Sequence, residues 1–262
     1  MSHSPPPEIL DAVIDQLHDE PTTLRACCLV SKSWIPRTRK HLFVHIEFDA
    51  LEHPFESWMK MFPDRSNTPA HHARSLSIRH LPAFISMGTD VDGWIRTFQN
   101  VTHLHFERCT WENHPTALAP FFGFSPAIRS LRMAYTSFEV FNLACSFPLL
   151  EDLALVDLCP EGRTVGWNAP SISPKLTGSL ELSAIGGFHS ATRRLLDFPN
   201  GLHFAKITVA CADQDFRPTT DLVSRCSGTL ESLNIRYFFP STFSSISLIG
   251  QNLTTIRGPS HT

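Results

Sequence analysis

The stretch His103-Leu104-His105-Phe106-Glu107 sets two imidazoles and a carboxylate at alternate positions, so on an extended strand all three project to one side. Such a trio could help hold a divalent cation, but a closed zinc site needs a fourth ligand and none is spaced to supply it. His71-His72 is a second histidine pair, and it also lacks an accompanying ligand set. The seven cysteines are odd in number, irregularly spaced and without a C-x-x-C pair, a pattern of reduced, mostly buried thiols. Gly123-Phe124-Ser125-Pro126 opens like a nucleophile elbow and lacks its second glycine. Phosphate-binding loop, H-E-x-x-H and dinucleotide-binding glycine patterns are all missing. These residues point to a chain that is not an enzyme and has neither a metal nor a cofactor.

The composition is that of a folded soluble protein: 42% hydrophobic and 18% charged over 262 residues. Twenty phenylalanines against two tyrosines imply aromatic filling of an apolar core. A net charge of −3 gives no general attraction to nucleic acid, and Arg37-Thr38-Arg39-Lys40 is too short a basic run to argue for one. No apolar run reaches the length of a membrane span, and the N-terminus has no signal-peptide core, so an intracellular protein of the cytoplasm or nucleus is expected. Asn100-Val101-Thr102 and Asn252-Leu253-Thr254 then match the glycosylation pattern by chance.

From Val44 onward the chain repeats itself. Val44, Ile46 and Phe48 alternate with His45 and Glu47, as in a half-buried strand. Apolar pairs of the same form fall at Leu76/Ile78, Leu104/Phe106, Leu131/Met133, Leu153/Leu155, Leu180/Leu182, Ile207/Val209 and Leu233/Ile235, and Ile256 begins a possible ninth. The interval is about 27 residues, the range of leucine-rich repeats with one strand and one return per unit. Helical spacing marks the returns at Phe55, Trp58, Met59 and Phe62, at Val91, Trp94, Ile95 and Phe98, and at Leu222, Val223 and Cys226. Pro120-Phe121-Phe122-Gly123-Phe124 reads as irregular, and 159–174 as a loop. The repeats are degenerate, because the Asn/Cys expected past each strand appears only at Cys109. An ordinary α/β sheet is the competing architecture, and near-constant spacing argues against it. No polar cap is visible at the C-terminal end.

Residues 1–43 carry three short helical signals. Pro7 and Glu8 suit a helix start, and Leu10, Val13, Ile14 and Leu17 follow helical spacing behind them. A second helix is expected from about Thr22, with Leu24, Cys27, Cys28 and Val30 apolar. Ser31 is placed to cap a third, which Pro36 starts or tightens and Leu42-Phe43 closes. In order and spacing, Pro7-Glu8-Ile9, Ile14, Leu17, Leu24, Val30-Ser31-Lys32-Ser33-Trp34 and Leu42-Phe43 resemble an F-box. The family's opening leucine is a proline here, and Cys27-Cys28 stand where other small or apolar residues are common.

The resemblance implies docking to a Skp-family adaptor and, through it, to the cullin of an SCF-type ubiquitin ligase. Pro7, Ile9, Leu10, Leu24, Leu29, Val30 and Trp34 are the residues it assigns to that interface or its support. The expected fold is α/β: a three-helix F-box over residues 1–43, then a leucine-rich-repeat solenoid over 44–262 with a curved parallel sheet. Its concave face would present Arg79, His103, His105, Glu107, Arg132, Glu181, Lys206, Asn234 and Arg236 to a protein target. Ser77, Ser130, Asp152 and Thr208 fall on the same side. The expected role is substrate recognition; the alternative is a non-ligase interaction scaffold whose helices only cap the repeats, with an unrecognised α/β enzyme as a third reading.

Overall fold

A computed structural model describes residues 6–80, 91–109, 119–136, 140–158, 176–184, 188–198, 201–211, 217–239 and 242–249. The chain opens with helices α1 (Pro7–Gln16), α2 (Pro21–Val30) and α3 (Ile35–Leu42). Each has proline in its first turn, where the missing N–H leaves no bond unmade. Between α2 and α3 lies the single 3-10 turn Lys32–Trp34, capped by Ser31, whose side-chain oxygen accepts the N–H of Ser33 at 3.3 Å. Ile14, Leu24 and Thr38 fill the small interior of this unit, at 1%, 1% and 0% exposure. Val13 does not share that face: it is 55% exposed, while Leu10 and Leu17 are half-buried.

Eight parallel strands follow in sequence order: β1 (His45–Asp49), β2 (Ser75–Arg79), β3 (His103–Glu107), β4 (Ser130–Ala134), β5 (Asp152–Val156), β6 (Ser179–Ala184), β7 (Lys206–Cys211) and β8 (Ser232–Phe239). The returns include α4 (Phe55–Met61), α5 (Val91–Ile95), α6 (Val140–Ala144), α7 (Phe188–Leu196) and α8 (Arg217–Cys226). The pairs in register run Ile46, Leu76, Leu104, Leu131, Leu153, Leu180, Ile207 and Leu233 from strand to strand. All are buried, and they join Phe55, Trp58, Trp94, Ile95, Phe141, Leu195 and Leu222 of the returns in one cluster. The alternate strand positions are half-buried or exposed, except Asp49 and Ala134, which are buried at the ends of β1 and β4. Helices therefore cover one face of the sheet. A doubly wound sheet needs helices on both faces and a reversal in strand order, and this sheet has neither among the described residues.

Every strand from β2 to β5 ends the same way. His80, Arg108, Tyr135 and Asp157 follow directly and adopt φ of 54°, 52°, 53° and 48°. Their N–H groups still donate across the sheet, to Glu107, Ala134, Val156 and Ser183 carbonyls at 3.2, 2.9, 2.9 and 2.6 Å. The left-handed residue then turns the chain inward, so that Cys109, Thr136 and Leu158 are buried behind the strand ends. Cys109 Sγ donates to the Ile78 carbonyl at 3.5 Å, tying one unit to the one before.

Two departures from expectation concern the returns and the C-terminal end. Residues 119–121 form a 3-10 turn that overlaps the start of the stretch read as irregular, and α6 and α7 occupy returns for which no helix was expected. A last strand, β9 (Thr242–Ile249), runs antiparallel to β8. Too few residues separate the two for a parallel crossover, so the chain can only turn back. Leu81, Ile185 and Ala212, which stand at the Asn/Cys place of their repeats, lie outside the described residues, as do Ile256 and 159–174.

Candidate functional site

The three-helix unit is held by polar contacts that leave apolar side chains outside. Asp15 on α1 accepts from Arg37 Nε at 2.6 Å and also from Arg37 Nη2, and lies 2.7 Å from His41 Nε2, so one carboxylate ties α1 to α3. The Arg37 guanidinium, with His41 second, holds the Asp15 carboxyl well below the usual carboxylate range. Thr38 hydroxyl donates back to the Trp34 carbonyl. With these groups and Ile14 and Leu24 inside, Ile9 at 56%, Val13 at 55%, Leu29 at 88% and Val30 at 67% remain exposed. They are half of the large exposed apolar side chains among the described residues, gathered in the first thirty positions. Ile9 and Val13 are one helical turn apart and share a stripe, beside the inward stripe of Leu10, Ile14 and Leu17. Pro7 is exposed, Leu10 and Trp34 are half-buried, and Leu24 lies in the interior. Leu24 is thus a support residue. Val13 belongs with the exposed set, and its spacing from Ile9 is the signal that would have found it.

The second surface is the open face of the sheet, where strand register gathers every residue assigned to it. One row runs Glu47, Ser77, His105, Arg132, Ala154, Glu181, Thr208 and Asn234 across β1 to β8. Arg79 bridges two acids, with Nη1 2.6 Å from Glu47 Oε1 and Nε 2.9 Å from Glu107 Oε2. That Nε–H is not aimed at the oxygen, so the second contact is charge pairing without a hydrogen bond. Arg132 Nη1 donates to Glu181 Oε2 at 2.7 Å, passing over β5, where Ala154 is small enough to leave the path open. These pairs are part-exposed, and each contributes about 0–1 kcal/mol.

His105 sits between the two arginines, its Nδ1 3.4 Å from Ser77 Oγ. Burial first, and Arg132 next, push its pKa down and keep the ring neutral. His103 is exposed and its Nδ1 lies 2.8 Å from the Thr102 hydroxyl. Glu107 faces Arg79, while His105 Nε2 has no hydrogen-bond partner among the described residues. Asp152 Oδ1 accepts the N–H and hydroxyl of Ser179, both at 2.7 Å. A Cβ on Gly178 would come 2.5 Å from that same oxygen, so a larger residue there would push the Asp152 carboxylate off Ser179. Lys206 and Arg236 are exposed, with no ion pair among the described residues.

Two sequence features resolve into structural roles. Ser125 is fully buried and its hydroxyl lies 2.8 Å from both the Gln99 and Val101 carbonyls, which removes it as a nucleophile. Cys27, Cys109, Cys145 and Cys226 are buried free thiols; burial pushes Cys145 up to about 11 and raises Cys226 as well. Among the described residues no helix is long and apolar enough to cross a membrane. The chain matches no protein-family model, no curated protein and no solved structure.

Proposed function

We propose that the chain is the substrate-recognition subunit of an SCF-type cullin–RING ubiquitin ligase. Its three helices dock a Skp-family adaptor, and the repeats, read as degenerate leucine-rich repeats of a curved solenoid, receive a target protein. The observation that carries this reading is the exposure of Ile9, Val13, Leu29 and Val30 on the segment whose Val30-Ser31-Lys32-Ser33-Trp34 resembles the F-box. Burying one such side chain fully is worth about 1.5–3 kcal/mol, so four of them left in water on one small unit support a surface for a partner to cover. The ordered parallel sheet with one polar face supports the other half of the reading. In this role the chain performs no chemistry itself; it holds the target near the ubiquitin-charged enzyme, which raises the effective concentration of the reacting groups. It works in the cytoplasm or nucleus, without cofactor.

The competing scaffold reading is favoured by Phe43, which closes the end of the core with its ring edge-on to Trp58 at 5.8 Å and Phe62 at 5.9 Å. A cap explains Phe43 but gives no reason for Leu29 at 88% exposure. The test is calorimetric titration of the chain with a Skp-family adaptor. Binding is expected for the native sequence and loss by about 100-fold or more for the double variant L29D/V30D, since two desolvated apolar contacts become buried charges. A folded native chain that does not bind the adaptor ends the reading.

A further inference from the structure

Basic residues far apart in the chain converge where the helical unit meets β2. Arg39 and Lys40 end α3, and the 3-10 turn Pro69–His72 packs against that helix, followed by Arg74 at the entry to β2. The rings of His71 and His72 lie 4.0 Å apart, centroid to centroid. Burial lowers the pKa of His72, and so do His71, Lys40, Arg39 and Arg74, four basic groups around one imidazole. Arg74 donates to the Asn100 carbonyl at 3.0 Å, which fixes its guanidinium at the surface.

His71 also borders an open cleft of about 650 Å³, lined further by Arg65, Arg96, Ser66, Thr68 and Thr97. Arg65 is held over the Trp94 ring, 5.3 Å from its centroid. None of the lining residues is acidic. Among the described residues two carboxylates stand nearby: Asp92 pairs with Arg96 at 3.2 Å, and Asp64 is engaged by the Ser66 N–H and hydroxyl at 2.9 and 2.7 Å.

On a chain of net charge −3, this is a concentrated patch of the opposite sign. Guanidinium forks, imidazole N–H groups and hydroxyls around one cleft are the donors that recognise phosphate oxygens. A nucleic-acid track would add exposed stacking aromatics along a groove, and here Trp94 is buried. A cleft of this volume suits a small ligand. We propose that the cleft and the adjoining basic shelf bind a small molecule bearing at least two phosphate groups, one seated between Arg65, His71 and Arg96 and another on Arg39, Lys40 and Arg74. This site is independent of the adaptor surface and of the polar sheet face.

The test is calorimetric titration of the full chain with tripolyphosphate, pyrophosphate and inorganic phosphate at constant ionic strength. Saturable binding of one tripolyphosphate per chain is expected, tighter than inorganic phosphate. Arg96→Gln and Lys40→Gln should each weaken it roughly tenfold or more, the scale of one charge-assisted hydrogen bond. The distant pair Arg193→Gln/Arg225→Gln should change it less than about twofold. All these side chains are exposed or half-exposed, and circular dichroism checks that each variant stays folded. Absence of saturation, or equal weakening by the distant pair, overturns the proposal. So does binding confined to phosphatidylcholine vesicles carrying a phosphomonoester lipid, which would assign the patch to a membrane surface.

Discussion

Asp15 is a single carboxylate on which the association of α1 with α3 rests, because Arg37 and His41 both converge on it. Its pKa is lowered in the folded chain relative to the ordinary 3.8, chiefly by Arg37. A lowered native value means that the group stabilises the fold above the unfolded pKa and loses that contribution as pH falls through the folded one. Asp15→Asn should therefore melt below the native chain at neutral pH, and the gap should close as the buffer is acidified past 3.8. Thermal melts of both chains across that range measure it; a gap constant with pH would show that charge is not the cause. Thr136 offers the opposite outcome. It is fully buried behind the end of β4, and its Oγ1 has no hydrogen-bond partner among the described residues. The equivalent place in the next unit is Leu158, so the site accepts an apolar side chain. Thr136→Val should raise stability by about 1 kcal/mol in denaturant unfolding, by removing a hydroxyl buried without a partner.

Among the elements, the strands were legible because period-two alternation survives degeneracy: all eight apolar pairs from Ile46/Phe48 to Leu233/Ile235 lie in parallel strands. The returns were harder. α6 spans only Val140–Ala144, too short to display a helical period, and α7 hides its inward stripe behind small Ala191 and polar Thr192. The strand exits were invisible, since His80, Arg108, Tyr135 and Asp157 share no residue type and only their backbone is alike. Of the candidate surfaces, alternation marked the open sheet face, but the Arg132–Glu181 pair could not be read because it depends on Ala154 in the strand between. Likewise a ten-residue helix apolar on several sides could not tell buried Leu24 from exposed Leu29. What alternation did mark has a measurable weight. Leu155, fully buried at the middle of the sheet, should cost about 2–5 kcal/mol when cut to alanine. Urea unfolding should show this as a lower midpoint, and an unchanged midpoint would mean that the core closes over the gap.

At the scale of the whole molecule, the helical unit has two relations to the repeats, and they use different residues. Phe43 faces the core and packs on Trp58 and Phe62, while Leu29 and Val30 face water. In a stack where each unit touches only its neighbours, the terminal unit needs such a cover. If docking and capping are separate functions of one segment, they should be separable by substitution. Phe43→Ala removes an aromatic side chain that is only partly buried, so it should lower stability by about 2–3 kcal/mol, somewhat less than a core phenylalanine. Its effect on adaptor affinity should be small, because none of the exposed set is altered. L29D/V30D should do the reverse: surface substitutions usually stay within about 0.5 kcal/mol of the native stability, yet the adaptor interface would be lost. Paired measurement of unfolding midpoint and adaptor titration on the two variants decides the matter. Parallel loss of stability and binding in both would mean that the helices act only as a cap, with exposure at Leu29 and Val30 incidental.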